Sequence, residues 1–579
     1  MQLRSLPAIL EEIAALLEIE GENPFRAKAY HNAAKVVAGL DDLDSLIKEG
    51  RLKTVRGIGE TLSANITEYR ETGKMAFHEE LLRKFPATLL ELLQVPNLGP
   101  KKIKLLFEKL DVTSLVELEY ACKENRLVSL FRFGERTQDS IIKGIEFLRR
   151  HKGEFLFGDV YPLAVRLRER LGSVVPGGLV EVCGSIRRKS EVVRNVDIVV
   201  GAAGADNAAV ATHLAAFPEV EDVLAGYGGR IACRLATGVE ARLTVVEPQS
   251  FPFAVLYFTG SAAHVSRLCE LAETKGLILN ERGFFQSGRP AGPPVAGEAD
   301  IYACLGLAYV PPELREDRGE LAAAASGGLP CLVEQADIKG TLHVHTIMSD
   351  GTAGLRAICD AARSLDLSYV GICDHSKSAY YAGGLKADDV VRQWEAIDEF
   401  NAATEGFTFF KGIESDILAD GCLDYADAML AGFDFVVASV HSGFSMGQAE
   451  MEARIVKAME NPYTTVLGHP TGRLLLARDG YRVDMSRIID EAVRLHVMIE
   501  LNASPYRLDI DWRRLPEARK KGVMVAINPD SHSASGLAEI FYGVGIARKG
   551  WLTAKDVANT RDAQGMRDLF AEVRHAKGH

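Results

Sequence analysis

The last two-fifths of this 579-residue chain alternates apolar, strand-like runs with amphipathic stretches. The amphipathic stretches include LKADDVVRQWEAIDEF and DMSRIIDEAVRL, in which apolar residues recur at helical spacing. About seven strand-like runs in this alternation predict a barrel of parallel strands surrounded by helices. In a barrel of this kind, the functional side chains lie at the carboxyl ends of the strands.

Nine potential metal ligands lie at or just after the ends of these apolar runs. They are His343, His345, Asp350, His375, Glu414, His441, His469, Asp530 and His532. A mixture of imidazole and carboxylate ligands suits zinc, manganese or iron better than magnesium or calcium. Because nine ligands exceed the coordination number of one ion, we predict two or three metal ions that share Glu414. Such clusters hydrolyse phosphate esters, since they acidify water and neutralise the leaving oxygen.

The overall composition is that of a soluble globular protein, with 47% hydrophobic and 25% charged residues. The length requires several domains, because single cores stop growing near roughly 250 to 300 residues. We expect a cytoplasmic protein, since the sequence has no membrane-length apolar run, no signal-peptide layout and no Cys-x-x-Cys pair. The net charge of −12 gives no overall basic character, although local patches can still bind nucleic acid.

The first 150 residues are helical in pattern and contain short glycine hairpins. VRGIGETLSANI begins at Val55, VPNLGPKKIKLL at Val95 and a looser copy, LFRFGERTQDSII, at Leu130. Such hairpins resemble helix-hairpin-helix motifs, in which glycine lets backbone amides approach a phosphate beside a helix N-terminus. We predict sequence-independent DNA binding through Gly57, Gly59, Gly99, Lys101, Lys102 and Gly134. For the lysines, a solvated helix face is the alternative interpretation.

The middle of the chain carries a family resemblance. It contains VEVCGSIRRKSEVVRNVDIVV, VEARLTVV, YFTGSAAHVSRL and YACLGLAYVPPELREDRGE. These segments resemble the palm and nucleotide pocket of the X family of DNA polymerases in its bacterial form. The C-terminal part, including IELNASPYRLD around Asn502, resembles the PHP domain (polymerase and histidinol phosphatase) that is fused to those enzymes. The resemblance covers essentially the whole chain.

The resemblance implies a multidomain α/β protein. Its expected parts are a helix-hairpin-helix N-terminal region, an α+β palm and thumb of the nucleotidyltransferase type, and a distorted (β/α)7 PHP barrel. The expected boundaries are a small helical domain at 1–85, fingers at 86–150, palm at 151–260, thumb at 261–320, a linker at 321–336 and the PHP domain at 337–579. The run ELAAAASGGLP, which spans the start of this linker, is typical of a hinge.

The polymerase centre departs from the family pattern. The family carries Asp-x-Asp on one palm strand and a third Asp on a neighbouring strand, and these hold two magnesium ions. The matching positions here are Asn195, Asp197 and Arg242. Asn is a poor magnesium ligand, and Arg puts a fixed positive charge where the cation would sit. We therefore predict an inactive centre in which Arg242 pairs with Asp197 and only Glu240 could compensate.

Other family positions are also changed. The family's template-side Asn and a following Arg are Val265 and Cys269, and the Schiff-base lysine of some relatives is Asn65. A phosphate grip and nucleotide pocket remain, formed by Gly184, Ser185, Arg188, Tyr257, Phe258 and Gly260. These residues could bind a dNTP or a strand end, or they could persist for the sake of the fold.

The PHP ligand set, by contrast, is complete. The resemblance implies one metal on His343, His345, Glu414 and Asp530, a second on Glu414, His441 and His469, and a third on Asp350, His375 and His532. The residues of the first set are the expected catalytic residues. Arg473 and Arg507 are candidate phosphate clamps or structural ion pairs, and Asp374 is a candidate outer partner of His375.

Together these observations predict a DNA repair protein whose PHP centre is a metal-dependent 3′–5′ exonuclease. We expect manganese as the metal, with zinc or iron as alternatives, and no magnesium at the polymerase centre. The expected partner of this monomer is gapped, nicked or 3′-ended DNA, with dNTP as a second candidate ligand and no membrane. The main alternative is an active gap-filling DNA polymerase with PHP proofreading or abasic-site cleavage. A DNA-binding scaffold and a small-molecule phosphatase are further alternatives.

Overall fold

The structure is a computed structural model, and two compact units make up the chain, Met1–Lys152 and Gly153–His579. It describes residues 6–21, 24–38, 40, 43–86, 88–96, 98–110, 112–123, 126–127, 130, 133–150, 153–175, 177–205, 207–224, 230–476 and 478–578. Residue 97 of the second predicted hairpin and residues 131 and 132 of the third lie outside this described part. No helix within it is long and apolar enough to span a bilayer.

The first unit is helical. Its helices are α1 (Leu6–Glu20), α2 (Pro24–Ala38), α3 (Leu43–Lys48), α4 (Glu60–Thr72), α5 (Ala76–Lys84), α6 (Leu89–Leu92), α7 (Pro100–Leu110), α8 (Leu115–Lys123) and α9 (Glu135–Arg150). Two apolar cores hold them together, one centred on α1, α2 and α4 and the other on α6 to α9. Each predicted hairpin ends directly before a helix, because Gly59, Gly99 and Gly134 immediately precede α4, α7 and α9.

The region predicted to be the palm, which keeps that label below, begins the second unit. Its elements are β1 (Phe155–Leu156), α10 (Phe157–Val174), β2 (Leu179–Val182), α11 (Gly184–Arg187), β3 (Val192–Val193), β4 (Asn195–Gly201), α12 (Asn207–Ala215), β5 (Val220–Leu224), β6 (Arg230–Leu235), β7 (Glu240–Val246) and α13 (Phe251–Thr259). The main sheet has the order β2-β4-β7-β6-β5, and β4 and β7 run parallel. Their register sets Asn195 beside Glu240 and Asp197 beside Arg242. All four side chains therefore lie on one face of the sheet.

The thumb follows, and the predicted linker packs against it. The elements are α14 (Ala262–Thr274), β8 (Ile278–Asn280), β9 (Gly283–Gln286), β10 (Arg289–Pro290), α15 (Glu298–Cys304) and α16 (Glu320–Ser326). The buried Glu320, which begins α16, bonds to His264 Nδ1 at 2.6 Å. Ala324 and Leu332 join the thumb core, whereas Val333 joins the barrel core. The small-residue segment therefore packs between the thumb core and the barrel core and is not an unpacked linker.

The rest of the chain forms a barrel of seven parallel strands in chain order. Its elements are β11 (Gly340–Val344), α17 (Leu355–Ser364), β12 (Tyr369–Ile372), α18 (Ala387–Ala403), β13 (Thr408–Asp416), α19 (Asp427–Leu430), β14 (Phe435–Ser439), α20 (Gln448–Glu460), β15 (Val466–Leu467), α21 (Met485–Arg494), β16 (Met498–Asn502), α22 (Leu515–Lys521), β17 (Val525–Asn528), α23 (Ile540–Lys549) and α24 (Ala563–Ala576). The amide of Leu342 donates to the Asn528 side chain at 3.1 Å, and a parallel bridge joins Val344 to Ser531. The barrel is therefore nearly closed, and the predicted (β/α)7 architecture is confirmed.

The palm packs directly against the barrel inside the second unit. Gly158 of α10 lies against Pro505, and a Cβ at Gly158 would stand 2.4 Å from Pro505 Cβ, so a side chain cannot fit there. Phe157 meets Tyr542 of α23 edge to face, with ring centroids 5.6 Å apart. These contacts hold the palm beside the carboxyl ends of the barrel strands, where the loop carrying Pro505 emerges.

A buried ion pair joins the same two domains. Arg473 of the barrel pairs with Glu191 of the palm, and its Nε donates to the carbonyl oxygen of Arg507 at 2.9 Å. Asp511 lies 3.5 Å from the Arg473 guanidinium. Burial raises the pKa of Glu191, while the charge of Arg473 opposes that rise. Of the two roles proposed for Arg473, the structural ion pair is the one that these contacts support.

Removing Arg473 is expected to destabilise the second unit. Arg473→Ala leaves Glu191 buried without its main cationic partner, which costs on the order of 3 kcal/mol of unfolding free energy. The measurement is urea unfolding followed by tryptophan fluorescence. The control is Arg513→Ala, because Arg513 is half exposed and lies 3.7 Å from Glu191. Its loss should cost less than about 1 kcal/mol. Equal losses in the two variants would contradict the assignment.

Candidate metal centre and nucleotide pocket

The nine predicted ligands lie together at the carboxyl end of the barrel. His343 is on β11 and Glu414 is on β13, and the others lie in loops that directly follow β11, β12, β14, β15 and β17. Parallel strands end at the same edge, so residues that are distant in sequence meet there. Asp530 has a φ of 53°, an uncommon backbone conformation for a residue other than glycine. Such conformations concentrate at functional sites, where the surrounding structure maintains them.

Glu414 stands at the centre of the cluster. Its Oε1 lies 3.3 Å from His343 Nε2, 3.2 Å from His441 Nε2 and 3.0 Å from His469 Nε2. Its Oε2 lies 2.9 Å from His375 Nδ1. One carboxylate thus faces imidazoles from four different loops or strands. This arrangement suits a carboxylate that is shared between metal ions.

Eight of the nine ligands form three groups, each with its ligand atoms within 4.8 Å of one another, and His469 lies outside them but faces Glu414 at 3.0 Å. The groups are His343, His345 and Asp530; His375, Glu414 and His441; and His345, Asp350, His375 and His532. They overlap the sets that the family resemblance implies. Glu414 is grouped with His375 and His441 and not with the first set, and His469 is in no group. His345 joins the group of Asp350, His375 and His532 as well as its own.

Several buried atoms of the cluster lack a hydrogen-bond partner. They include His343 Nε2 and His345 Nδ1. A buried polar atom without a partner costs about 1–3 kcal/mol, and metal coordination would satisfy both. The side chains of Asp350 and His532 are 33% and 41% exposed, so the cluster opens to solvent on their side. The donor set and its unpaired atoms fit two or three divalent cations.

Charges within the cluster shift one another's pKa values. Although burial lowers the pKa of His343, the carboxylates of Glu500, Asp530 and Glu414 raise it well above its usual range. Although burial raises the pKa of Glu414, the neighbouring imidazoles of His441 and His343 hold it well below its usual range. Opposite charges at short range favour the ionised form of each group. Cations that bound here would compete with protons for the imidazoles.

Outer residues that the sequence reasoning missed orient the ligands. Glu500 Oε1 lies 2.8 Å from His343 Nδ1, and Glu500 Oε2 accepts from the His469 amide at 2.7 Å. Asp416 lies 2.6 Å from His441 Nδ1. Such partners fix the tautomer and the ring direction of a ligating histidine. Strand alternation could have identified Asp416, because it is two residues from Glu414 on β13 and lies on the same face.

Asp374, the predicted outer partner of His375, holds a loop. Its carboxylate accepts from the Thr346 amide at 2.7 Å, from Ser349 Oγ at 2.5 Å and from Gln393 Nε2 at 2.5 Å. These bonds fix the segment between β11 and Asp350. Asp374 therefore positions the part of the cluster that opens to solvent.

The palm contains a separate pocket with a volume of about 600 Å³. Its walls include all six predicted nucleotide-pocket residues, Gly184, Ser185, Arg188, Tyr257, Phe258 and Gly260, together with Asn195, Asp197, Val265 and Cys269. Gly184 has a φ of 64°, and a Cβ there would stand 2.4 Å from Asp197 Oδ2. Only glycine fits at this approach to Asp197.

The predicted ion pair between Arg242 and Asp197 is wrong. Arg242 Nε instead donates to Glu240 Oε1 at 2.7 Å, and both of these side chains are about half exposed. Residues i and i+2 on a strand share a face, so Glu240 reaches the guanidinium from the same strand. Burial raises the pKa of Asp197, and the Asn195 amide and the charge of Arg242 offset this only in part. Asp197 is thus the one aspartate present at the three family positions, and Glu240, on the same face of the sheet, already has a cationic partner.

Arg188, which was predicted to bind a phosphate, already has protein partners in the structure. Arg188 Nε pairs with Glu316 at 3.0 Å, and Nη1 donates to the Thr259 carbonyl at 2.5 Å. Lys549 of the barrel also pairs with Glu316 and donates to the Arg188 carbonyl at 3.0 Å. Arg188 is therefore fixed by thumb and barrel together. A nucleotide phosphate would have to compete with Glu316 for this guanidinium.

Comparison with known proteins shows the family. The helix-hairpin-helix domain family matches residues 4–75, the DNA polymerase beta thumb family matches residues 254–316, and the PHP domain family matches residues 341–504. A Bacillus subtilis protein named DNA polymerase/3′-5′ exonuclease PolX is 33% identical over 566 residues, which cover 97% of this chain and 98% of that relative. The chain belongs to the X family of DNA polymerases that carry a C-terminal PHP domain.

Two other relatives match parts of this X-family chain. Human DNA-directed DNA/RNA polymerase mu is 37% identical over 89 residues, which are 15% of this chain and 18% of that protein. A probable phosphatase from Thermoanaerobacter is 25% identical over 187 residues, which are 30% of this chain and 72% of that protein. As an X-family member with a helix-hairpin-helix domain, the protein binds DNA.

The predicted DNA contacts of this X-family protein lie in its helical first unit. Gly99, Lys101 and Lys102 line a cavity of about 620 Å³ beside α1 and α2, and the Lys101 side chain is exposed. Lys104 is occupied, because its Nζ donates to the Glu20 carbonyl at 2.5 Å. Asn65, at the position of the lyase lysine, donates to the Tyr30 hydroxyl at 2.7 Å. An amide in this position supplies a structural hydrogen bond and no nucleophile.

Proposed function

We propose that this protein is a DNA repair enzyme whose PHP domain is a metal-dependent 3′–5′ exonuclease and whose polymerase centre is inactive. The observation that carries the first part is the nine-ligand cluster around Glu414, with its unpaired buried atoms at His343 and His345. The second part rests on Asn195 and Arg242 beside Asp197. The hairpins would hold gapped, nicked or 3′-ended DNA without reading its sequence.

The residues of the PHP centre have different proposed roles. When bound, the metal ions supply an acidified water and positive charge against the phosphodiester. His343, His345, Glu414 and Asp530 would hold them as the inner set, with Glu500 keeping His343 oriented. Asp350 and His532 line the open side, where a DNA strand would enter. Manganese is the proposed metal because imidazole and carboxylate are mixed, and zinc or iron would also suit this set.

Two alternatives remain for the test. The Bacillus subtilis relative is named for both polymerase and exonuclease, which favours a gap-filling polymerase with PHP proofreading. The Thermoanaerobacter relative, named a probable phosphatase, favours a small-molecule phosphomonoesterase. The palm face argues against the polymerase alternative, because Glu240 is paired with Arg242 there. The presence of a helix-hairpin-helix domain in the same chain argues against the small-molecule phosphatase alternative.

One incubation separates the exonuclease from the polymerase, and a histidinol phosphate assay tests the phosphatase. A 5′-labelled primer annealed to leave a one-nucleotide gap is mixed with manganese, four dNTPs and either wild type or His343→Ala. We expect the wild type alone to shorten the primer and neither protein to extend it. Extension by His343→Ala would establish the polymerase alternative. Hydrolysis of histidinol phosphate with no shortening of DNA would establish the phosphatase alternative.

A further inference from the structure

A cavity with a volume of about 410 Å³ opens at the amino-terminal end of the barrel strands. Its lining is mainly cationic and polar, and consists of Asp337, Lys339, Ala554, Lys555, Thr560 and Arg561. Lys339 directly precedes β11, and the other two cationic residues lie between α23 and α24. The metal ligands lie at the opposite, carboxyl ends of the strands. This basic cavity is therefore separate from the metal centre.

Hydrogen bonds fix the chain segments that carry the three cations of the basic cavity. The Lys339 amide donates to the Asn559 carbonyl at 2.7 Å, and Asn559 Nδ2 donates to the Gly340 carbonyl at 3.0 Å. Thr560 Oγ1 donates to the Ala554 carbonyl at 2.8 Å, which joins the chain beside the second cation to the chain beside the third. All three side chains are therefore attached to one fixed backbone framework.

The three cations have no carboxylate partner. Lys339 Nζ donates to the Ala336 carbonyl at 3.0 Å, and Arg561 Nη1 lies 3.5 Å from the Met524 sulfur, which is a weak acceptor. Within the described part of the chain, neither these two side chains nor Lys555 form an ion pair with a carboxylate. Lys339 and Lys555 are also exposed, so an anion from solvent can reach them.

The acidic residues of the same segments bond elsewhere. Asp337, which lines the cavity, accepts from the Glu334 amide at 2.8 Å. Asp556 pairs with Arg519 at 3.2 Å, and Asp562 caps the first turn of α24. Three cations thus share the cavity with a single carboxylate. A bound anion would offset their mutual repulsion.

We propose that the basic cavity binds inorganic phosphate or a small phosphomonoester. Such a group carries a charge of about −1.5 to −2 at pH 7 and three acceptor oxygens, which match three cationic donors. Arg561 would bind two oxygens with its planar fork, and the lysines would act as point charges. No aromatic ring is among the six lining residues, so the base of a nucleotide has no stacking partner there. This inference does not depend on the proposed function, because it concerns binding at the other end of the barrel.

The test is isothermal titration of the full-length protein with inorganic phosphate in EDTA, which keeps metal ions out of the ligand cluster. The double substitution Lys339→Gln with Lys555→Gln should weaken binding at least about fivefold, because it removes two of the three charges. Hydrogen exchange measured by mass spectrometry locates the site. Phosphate should slow exchange in the peptide that covers residues 550–562 of the wild type and should not slow it in the double variant.

The matched control is Lys275→Gln with Lys520→Gln, which removes two exposed lysines from outside the cavity and changes the net charge equally. This pair should leave both the affinity and the exchange pattern as in the wild type. An equal loss of affinity in the control pair would overturn the site. So would wild-type exchange at residues 550–562 that phosphate does not change.

Two further ligands define the chemistry that the basic cavity recognises. Dimethyl phosphate carries a single charge and should bind at least about tenfold more weakly than inorganic phosphate. Equal binding of these two ligands would contradict the assignment to a phosphomonoester or phosphate. Deoxyadenosine monophosphate distinguishes the two sources of the group. Affinity equal to that of inorganic phosphate would show that the phosphate group alone is recognised, and tighter binding would identify a mononucleotide as the occupant; either result supports the site.

Discussion

Glu414→Gln is expected to reduce the proposed exonuclease activity by at least about 1,000-fold, because the substitution removes the carboxylate that faces four imidazoles of the cluster. Glu414 faces His343, His375, His441 and His469 at 2.9–3.3 Å. An amide is nearly the same size but carries no charge, so it holds divalent cations weakly. The measurement is the rate of manganese-dependent shortening of a single-stranded oligonucleotide, together with the metal content of the purified protein.

A second variant distinguishes the loss of a metal ligand from the loss of a residue that only orients a ligand. Glu500→Gln leaves every inner ligand in place and alters the hydrogen bonds that orient His343, at 2.8 Å to its Nδ1, and His469, at 2.7 Å to its amide. Changes of this kind typically cost about 10–100-fold in metal affinity or activity. Its activity should therefore recover at high manganese concentration, whereas that of Glu414→Gln should not. Full activity and full metal content in Glu414→Gln would remove Glu414 from the centre.

The barrel could be predicted from the sequence because its signal is local and repeated. Six of the seven barrel strands are short apolar runs with a predicted ligand at or just after the end, and a parallel barrel brings all such ends to one rim. The implied ligand sets were less certain than the ligands themselves, since grouping depends on side-chain directions. His375 illustrates this, because the structure groups it both with Glu414 and with Asp350.

What the sequence could not predict depends on contacts between distant segments. Glu191 and Arg473 are 282 residues apart, and no local pattern marks them as partners. The predicted linker contains small residues typical of a hinge, yet Ala324 and Leu332 are buried in the thumb core. Small residues suit close packing as well as flexibility. Only the tertiary structure distinguishes the two.

The palm shows both the value and the limit of strand patterns. The register of β4 and β7 places Arg242 beside Asp197, where the family's third aspartate would lie. The prediction of Asp197 as the partner of Arg242 was nevertheless wrong, because a long exposed side chain can reach more than one carboxylate. Glu240 on its own strand offers a bond of 2.7 Å without burying the guanidinium. Positions along a strand follow from spacing, whereas ion-pair partners depend on solvation.

Wild-type protein is expected to incorporate no dNTP, and the double substitution Asn195→Asp with Arg242→Asp is expected to gain template-dependent incorporation. The new carboxylates would flank Asp197 on one face of the sheet, as the register of β4 and β7 requires. Replacing Arg242 also frees Glu240 from its ion pair. Three carboxylates attract a divalent cation, whereas the neutral Asn195 would hold it only weakly and the cationic Arg242 repels it. We expect incorporation at a rate at least about 100-fold above the assay background that the wild type shows.

The comparison is made in a His343→Ala background, so that primer shortening does not hide extension. The assay is single-nucleotide gap filling in magnesium or manganese. Arg242→Asp alone should gain less than the pair, because Asn195 would still supply only an amide oxygen to the cation. Arg234→Asp is the matched control, since it removes an exposed arginine from the neighbouring strand β6. Extension by the His343→Ala parent as fast as by the double substitution would mean that Asn195 and Arg242 do not inactivate the centre. Failure of the double substitution alone would place the defect elsewhere in the pocket, at Val265 or Cys269, which also line it.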